Sequence, residues 1–186
     1  MRSRHEGLAR GAGGVPGILH AVPTWDQTHS NWLWRESPLS DGPTVVFDMD
    51  GVLSDASTRQ HYIDYPYPDW DAFFHACGDD NLIDEVARLL DVIDATHRIV
   101  LLTARPMKVQ PQTLGWLERY GLRWDALIMR EFGDYMAARV FKKRTVHELR
   151  GRGFDLRLAF EDDPRNVHMF HSEGVPCVYI HSGYYE

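Results

Sequence analysis

The chain has 186 residues and a mass of 21.5 kDa, which allows one ordinary domain with an extension and excludes two full domains. Hydrophobic residues make up 44% of the chain and charged residues 25%, which is typical of a folded globular protein and excludes a largely disordered one. The formal net charge of -7 excludes a general attraction to polyanions, so that any nucleic acid must be held by local cations.

The sequence contains no membrane or export signal that we recognise. No run approaches the ~20 apolar residues that cross a bilayer, and the first thirty residues lack the apolar core of a secretory signal. Cys77 and Cys177 belong to no metal-binding spacing, and we expect two reduced thiols. These features predict a cytoplasmic protein that does not contact membranes.

Residues 1–42 differ in composition from the rest, because they are rich in glycine and show no sustained apolar period. We predict a poorly ordered extension over 1–42 and a single domain over 43–186. Trp25, Trp32 and Trp34 are unusual in a disordered tail and are expected to dock on the domain or on a partner. Packing is favoured over base stacking for these indoles.

From Thr44 onward, short β-branched runs alternate with longer amphipathic segments, which indicates βαβ units around a parallel sheet. The pattern therefore predicts an α/β fold with a sheet of about five strands. The predicted strands cover 44–47, 98–102, 126–129, 156–160 and 177–180, and the predicted helices cover 82–93, 114–120, 136–150 and 164–172.

Two carboxylates, Asp48 and Asp50, directly follow the first predicted strand, and Gly51 comes next. In open parallel sheets ligands bind at the carboxyl ends of the strands, so these side chains lie where a site is expected. An Asp-Gly pair is also a common turn, and the motif alone does not decide between the two interpretations. The rest of the chain has to decide.

Three further polar segments follow later strands. Thr103 and Arg105 come after the second, Lys142 and Lys143 after the third, and the acidic run 161–163 after the fourth. Each alone has an ordinary structural explanation as a cap, a solvated helix face or an acidic loop. Together they supply the nucleophile, second acid, phosphate donors, balancing cation and magnesium site that transfer through an aspartyl-phosphate requires.

This set of four motifs resembles the haloacid dehalogenase (HAD) superfamily of phosphohydrolases. The resemblance implies a three-layer Rossmann-like fold with minimal or no cap, and Mg²⁺ as cofactor. It implies that Asp48 is the nucleophile and that Asp50 is the general acid and later the base. It also implies that Thr103 binds the phosphoryl oxygens and that Lys142 balances charge, with Lys143 as the competing choice.

The resemblance further assigns the metal ligands. Asp48 contributes its carboxylate and Asp50 its backbone carbonyl, while Asp162 is expected to be the coordinating acid of the later loop. Glu161 would support it directly or through water, and Asp163 could exchange roles with either, because spacing does not separate three adjacent acids.

A closer resemblance, over 44–185, is to the 3'-phosphatase domain of phage-type polynucleotide kinase-phosphatases. The further matches are Arg59, the run 69–74, Asp80-Asn81, Thr103-Ala104-Arg105, Met129-Arg130 with Gly133-Asp134, and Ser182-Gly183-Tyr184. The family pattern implies that Arg59 and Arg105 bind the substrate phosphate. Ala138 and Asp163 depart from it, because an acidic and a basic residue are usual there. No GxxxxGK[ST] phosphate loop occurs, so 5' phosphorylation is not expected.

The insert between residues 55 and 81 is too short for a cap domain, so we expect an open site that admits polymer ends. One of its aromatic side chains is expected to stack on a terminal base, and most of them to be buried. The predicted function is Mg²⁺-dependent removal of 3'-phosphate from nucleic-acid ends. A nucleotidase or small-molecule phosphatase, and a catalytically silent phosphate-binding module, stay as alternatives. DNA and RNA are not distinguished.

Overall fold

The structure is a computed structural model that describes residues 24–25 (backbone only), 30–64 and 66–185. Its strands are β1 (Thr24–Trp25), β2 (Trp32–Trp34), β3 (Gly42–Phe47), β4 (Ser54–Asp55), β5 (Asn81–Leu82), β6 (Arg98–Pro106), β7 (Ala126–Arg130), β8 (Phe154–Glu161) and β9 (Cys177–Tyr179). Its α-helices are α1 (Trp70–His75), α2 (Asp84–Val92), α3 (Gln110–Arg119), α4 (Ala138–Gly151) and α5 (Pro164–Ser172).

The central sheet has seven strands in the order β1-β2-β7-β6-β3-β8-β9. Its five consecutive strands β7, β6, β3, β8 and β9 are parallel to one another, whereas β2 pairs antiparallel with both β7 and β1. These five are the strands predicted from the sequence, and each predicted helix is present with ends that differ by a few residues. The predicted α/β fold is therefore confirmed.

Helices cover both faces of the sheet and form three layers, because alternate strand residues point to opposite sides. On one face Val45, Phe47 and Leu101 pack with residues of α2 and α3. On the other face Val46 and Val100 pack with residues of α4 and α5. Two apolar cores thus fix the sheet between its helices. No helix in the described ranges is long and apolar enough to span a bilayer.

The segment before residue 43 differs from the expectation of a poorly ordered extension. Trp32–Trp34 form a strand that pairs with Ala126–Ile128 at the edge of the parallel sheet. Both indoles are fully buried, and Trp34 stacks on Phe154. Burial of two large aromatic side chains outweighs the weak local preference of such a short segment for strand structure. Residues 1–23 and 26–29 of the predicted extension lie outside the described part.

The insert after β3 forms no separate domain in the part that the structure describes. The segment contains the two-stranded β4-β5 ladder, two short 3-10 helices and the six-residue helix α1. These elements lie beside the carboxyl ends of β3 and β6, and Cys77 from this segment joins the core below α3. Cys77 and Cys177 are free thiols, as predicted.

Candidate active site

The predicted acidic pair lies on a tight turn at the carboxyl end of β3. The Asp48 N–H donates to the carbonyl of Phe160 on β8 over 3.0 Å, which places Asp48 between the two strand ends. Leu53 N–H donates to the Met49 carbonyl, and Gly51 adopts a φ of +78°, a conformation that glycine accepts without strain. The turn is anchored by fully buried apolar side chains and presents both aspartates at the edge of the sheet.

Lys142 joins two of the predicted acids in a buried cluster. Its Nζ lies 2.7 Å from Asp48 Oδ2 and donates to Glu161 Oε2 over 2.6 Å. The ammonium is 1% exposed, so that solvent screens these charges little. Although burial opposes the charge of Lys142, its pKa is raised, because Asp48 and Glu161 stabilise the ammonium. Lys142 is therefore held as a cation against the carboxylate expected to react.

Negative charge nevertheless exceeds positive charge in this cluster. The pKa of Asp48 is raised well above its usual value by burial and by repulsion from Glu161, which outweigh the attraction of Lys142. Burial and the nearby Asp48 raise the pKa of Asp162 to about 7, and the Ser182 hydroxyl only partly offsets them. Within the described ranges, no cation besides Lys142 forms an ion pair with these carboxylates.

The carboxylate oxygens fit a divalent cation. Ligand atoms of Asp48, Glu161 and Asp162 lie within 4.8 Å of one another. Among the described residues, no well-formed hydrogen bond reaches Asp48 Oδ1 or either Asp162 oxygen, and all three atoms are buried. Buried carboxylate oxygens without donors are costly, and they are the ligands that Mg²⁺ prefers.

Glu161 is less available as a direct ligand. Its Oε2 accepts from Lys142, and its Oε1 accepts the backbone N–H groups of Asp162 and Asp163 at 3.3 and 3.2 Å. Asp48 and Asp162 therefore offer the free oxygens, and Glu161 orients the lysine and the loop.

The second aspartate of the turn belongs to a separate network of charges. Nη2 of Arg59 and Nη2 of Arg105 both donate to Asp50 Oδ1, and Arg105 Nε donates to the same oxygen over 2.8 Å. Both arginines also bind Asp80, through Arg59 Nε at 2.9 Å and Arg105 Nη2 at 3.2 Å. Ser54 donates to Asp80 as well. Two guanidinium groups and two carboxylates thus balance in a buried cluster.

This network sets the charge of Asp50. Burial alone would raise the pKa of Asp50, but Arg105 and Arg59 outweigh it and hold the pKa below its usual value. Asp50 is thus ionised at neutral pH and ready to accept a proton. The two arginines, expected to be direct phosphate ligands, are 0% and 1% exposed and point at Asp50 and Asp80. Their contact with a phosphate requires them to exchange partners.

The structure separates the residues that spacing alone left equivalent. Lys143 is exposed and pairs with Glu173 at 2.6 Å, away from the carboxylate cluster. Asp163 is the N-cap of α5, where it accepts the Arg165 N–H and pairs with the Arg165 guanidinium. Lys142 rather than Lys143, and Glu161 and Asp162 rather than Asp163, therefore lie at the cluster. Thr103 is also buried beside the cavity, where its hydroxyl accepts the Arg105 N–H at 3.1 Å.

Asp80 and Ser54 are the members of the site that sequence reasoning missed. Asp80 was noted only as part of the resemblance, without a role. Its partners Arg59 and Arg105 are 21 and 25 residues away along the chain, so that no local pattern marks it. Ala138, the departure from the family pattern, begins α4 one turn before Lys142. Glu161 supplies a carboxylate to the lysine there.

An open cavity of about 640 Å³ lies above these charges. Asp48, Asp50, Thr103 and Lys142 contribute to its lining, and aromatic residues surround its upper part. The aromatic lining residues are Trp70, Phe73, Phe74, Phe132, Tyr135, Tyr184 and Tyr185. The cavity is large enough for a nucleotide-sized group to reach the carboxylates.

Comparisons with known proteins agree with this geometry. The sequence profile of the family described as the polynucleotide kinase PNKP phosphatase domain matches residues 42–185. No curated protein sequence is significantly similar to the chain.

Among solved structures, a chain of the Pnkp1/Rnl/Hen1 RNA repair complex is 26% identical, with a TM-score of 0.64, over 80% of this chain and 45% of that one. A second Pnkp1/Rnl/Hen1 complex gives 22% identity and a TM-score of 0.62 over 91% and 52%. The class C acid phosphatase of Bacillus anthracis with bound tungstate shares the fold at 17% identity, with a TM-score of 0.57 over 79% and 69%. The chain spans about half the length of the first two proteins. It belongs to the PNKP phosphatase domain family and is a phosphatase of the HAD superfamily.

Proposed function

We propose that this phosphatase is a Mg²⁺-dependent phosphomonoesterase that removes 3'-phosphate from nucleic-acid ends through an aspartyl-phosphate on Asp48. The observation that carries the proposal is the Asp48 carboxylate itself. One oxygen faces the buried Lys142 ammonium at 2.7 Å, and the other is unpartnered among the described residues and lies beside Asp162. A carboxylate held in this way, under an open cavity, suits attack on a phosphorus atom.

Asp48 and Asp162 would hold Mg²⁺ through their free oxygens, with the Asp50 backbone carbonyl as a further ligand and Glu161 behind Lys142. The bound cation supplies positive charge that lowers the pKa of Asp48 and offsets its repulsion from the phosphate. Asp48 then attacks phosphorus, and the bond from phosphorus to the 3' oxygen breaks. Lys142 and Thr103 hold the transferring phosphoryl group, and water later hydrolyses the aspartyl-phosphate to restore Asp48.

Asp50 acts as the general acid in the first step and as the general base in the second. The leaving 3' oxygen takes a proton from Asp50, and Asp50 then takes a proton from the water that attacks phosphorus. A general acid must be protonated, yet Arg59 and Arg105 hold the pKa of Asp50 low without substrate. We infer that the substrate phosphate draws these guanidinium groups away from Asp50, which raises its pKa when the proton is needed. This exchange gives both arginines their phosphate contact.

The family match and the open cavity support a nucleic-acid end as substrate. The similar Pnkp1 chains occur in an RNA repair complex, which favours an RNA or DNA end over a free metabolite. A nucleotidase is the second candidate, because the cavity of about 640 Å³ is also large enough for a mononucleotide. A silent binding module is disfavoured, because Asp48, Asp50, Lys142 and Asp162 are all present. The cytoplasmic location stays a prediction.

The test is phosphate release from a 3'-phosphorylated oligonucleotide, as DNA and as RNA, beside a 5'-phosphorylated oligonucleotide and mononucleotides. Wild type is compared with Asp48→Asn, and Asp155→Asn, an exposed residue of β8, is the matched control. We expect Mg²⁺-dependent release from 3' ends that Asp48→Asn abolishes and Asp155→Asn retains. Hydrolysis of mononucleotides alone would support the nucleotidase, and no hydrolysis with any divalent cation would support the silent module.

A further inference from the structure

Four cationic side chains of the described residues line the cavity above Asp48, and three of them already have a carboxylate partner. Lys142 binds Asp48 and Glu161, Lys108 binds Asp71, and Arg165 binds Asp163. The fourth, Arg130, has no ion pair within the described part of the chain. One positive charge at the cavity is therefore available to an incoming anion.

Arg130 is the last residue of β7, at the edge of the sheet where the catalytic groups gather. Its Nε is buried and has no hydrogen-bond partner among the described residues. Asp134 attracts the guanidinium from a distance, but one Asp134 oxygen pairs with Arg144 at 3.1 Å and the other accepts the Met136 N–H. Partial burial lowers the pKa of Arg130, which Asp134 only partly offsets. An anion in the cavity would satisfy this side chain.

Aromatic side chains stand exposed next to this cation. Phe132 and Tyr135 lie on the loop that follows Arg130 and are 86% and 91% exposed, although both also line the cavity. Trp70 of α1 lines the same cavity and is 52% exposed. Solvent-exposed aromatic rings can stack on bases, and a guanidinium without an ion pair can bind a phosphate. Together they suit a ligand in which bases alternate with phosphates. Single-stranded nucleic acid has this chemistry, and a small phosphate ester does not.

We propose that Arg130 binds the phosphodiester next to the terminal nucleotide, while Phe132 and Tyr135 stack on the unpaired bases of a single-stranded 3' end. Arg130 is then the residue that makes the enzyme prefer a polynucleotide end over a mononucleotide, because only the polynucleotide has a second phosphate to bind. The inference rests on the proposed function, since it names the feature of the same substrate that lies beyond the reacting phosphate.

The test compares a 3'-phosphorylated trinucleotide with a nucleoside 3'-monophosphate as substrates of Arg130→Gln. We expect kcat/KM for the trinucleotide to fall about 10-fold, the loss of one charge-assisted contact, with kcat/KM for the monophosphate unchanged. The slope of log KM against log salt for the trinucleotide should fall by about 1. Arg130→Lys should restore part of the preference, and Arg157→Gln, which removes an exposed arginine from β8, should leave it intact.

Hydrolysis of p-nitrophenyl phosphate reports whether Arg130→Gln is folded, because that substrate has no second phosphate. The double variant Phe132→Ala, Tyr135→Ala should raise KM for the trinucleotide alone. Equal losses on trinucleotide and monophosphate, or an unchanged preference in Arg130→Gln, would overturn the assignment of Arg130 and leave the 3'-phosphatase intact. A wild type that hydrolyses p-nitrophenyl phosphate but no oligonucleotide end would overturn the proposed function and this inference together.

Discussion

A β-carbon at residue 51 would lie 1.9 Å from Oδ2 of Asp162. A β-carbon does not approach a non-bonded oxygen so closely, so the turn that carries Asp48 and Asp50 contacts the acid loop in this way because residue 51 is glycine. The backbone there also has a φ of +78°. The spacing between the two acidic segments of the site therefore depends on the absence of one side chain.

Gly51→Ala should displace Asp162 or the turn by an ångström or more and lower kcat/KM by about 100-fold, since catalytic geometry tolerates little misplacement. Gly121→Ala is the matched control, because Gly121 has a φ of +60° but nothing within 4 Å of an added β-carbon. Both variants should lose about 1–2 kcal/mol from backbone strain in urea unfolding. Equal activity in the two variants would contradict the importance of this contact.

Lys142→Met should abolish phosphatase activity and lower the free energy of unfolding by about 3–5 kcal/mol, because it leaves Asp48 and Glu161 buried without a cation. Lys143→Met, which removes an exposed lysine paired with Glu173, should change either quantity little. The destabilisation of Lys142→Met should be smaller at pH 5 than at pH 8, since Asp48, whose pKa burial already raises, can then take up a proton. Urea unfolding at both pH values checks this expectation.

Removal of metal should make stability depend on pH through Asp162. Its pKa is about 7 in the folded chain and 3.8 ordinarily, so the folded state holds a proton that the unfolded state releases. Stability with EDTA should therefore fall as the pH rises from about 4 to about 7, by roughly 2–4 kcal/mol. Asp162→Asn should remove this part of the slope, and Asp155→Asn should not. Mg²⁺ should stabilise the wild type most at pH 8; an equal slope in Asp162→Asn would contradict the assignment.

Asp80→Asn should leave Arg59 and Arg105 with one carboxylate between them. Their charge then acts more strongly on Asp50 and lowers its pKa further, so the proton for the leaving group is lost at a lower pH. We expect a fall in kcat of about 10-fold and a shift of the alkaline limb of the pH–rate profile to lower pH. Asp79→Asn, at the exposed neighbouring position, is the control. A lower kcat with an unshifted profile would point to a purely structural role.

Trp34→Ala should lower the free energy of unfolding by about 3–5 kcal/mol, because the indole is fully buried and stacks on Phe154. Trp70→Ala, which truncates an indole that is 52% exposed, should cost less than about 1 kcal/mol. Thermal and urea unfolding measure both. A loss of stability in Trp34→Ala as small as that expected for Trp70→Ala would show that β2 contributes little to the fold.

The parts of the molecule that could be predicted from the sequence are those marked by a pattern within a short stretch of residues. The five parallel strands and the helices were predicted because apolar residues repeat with the period of each element. The same pattern also locates the strand ends and the helices that follow them. Asp48, Asp162 and Lys142 lie at these positions. Their convergence at one cavity follows from the parallel sheet.

The rest depended on contacts that no short window contains. Trp32–Trp34 is too short to show a period, and its burial comes from pairing with residues about a hundred positions away. The phosphate contact of Arg59 and Arg105 stays a prediction, and residue type alone did not show that both also bind Asp50 and Asp80. Lys143 and Asp163 could be set aside only when the structure gave their exposure and partners.

The pairing of β2 with β7 bears on the tendency of the protein to associate with other copies of itself. Residues 42–185, the part shared with the family, stop short of β2. A protein trimmed to that region would keep the pairing of β7 with β6 but would leave the outer edge of β7, at Ala126–Ile128, without a partner strand. Unpaired strand edges join other unpaired edges, and this one would be flanked by the apolar surface that the two indoles cover. By covering this edge within the same chain, Trp32–Trp34 should reduce its self-association.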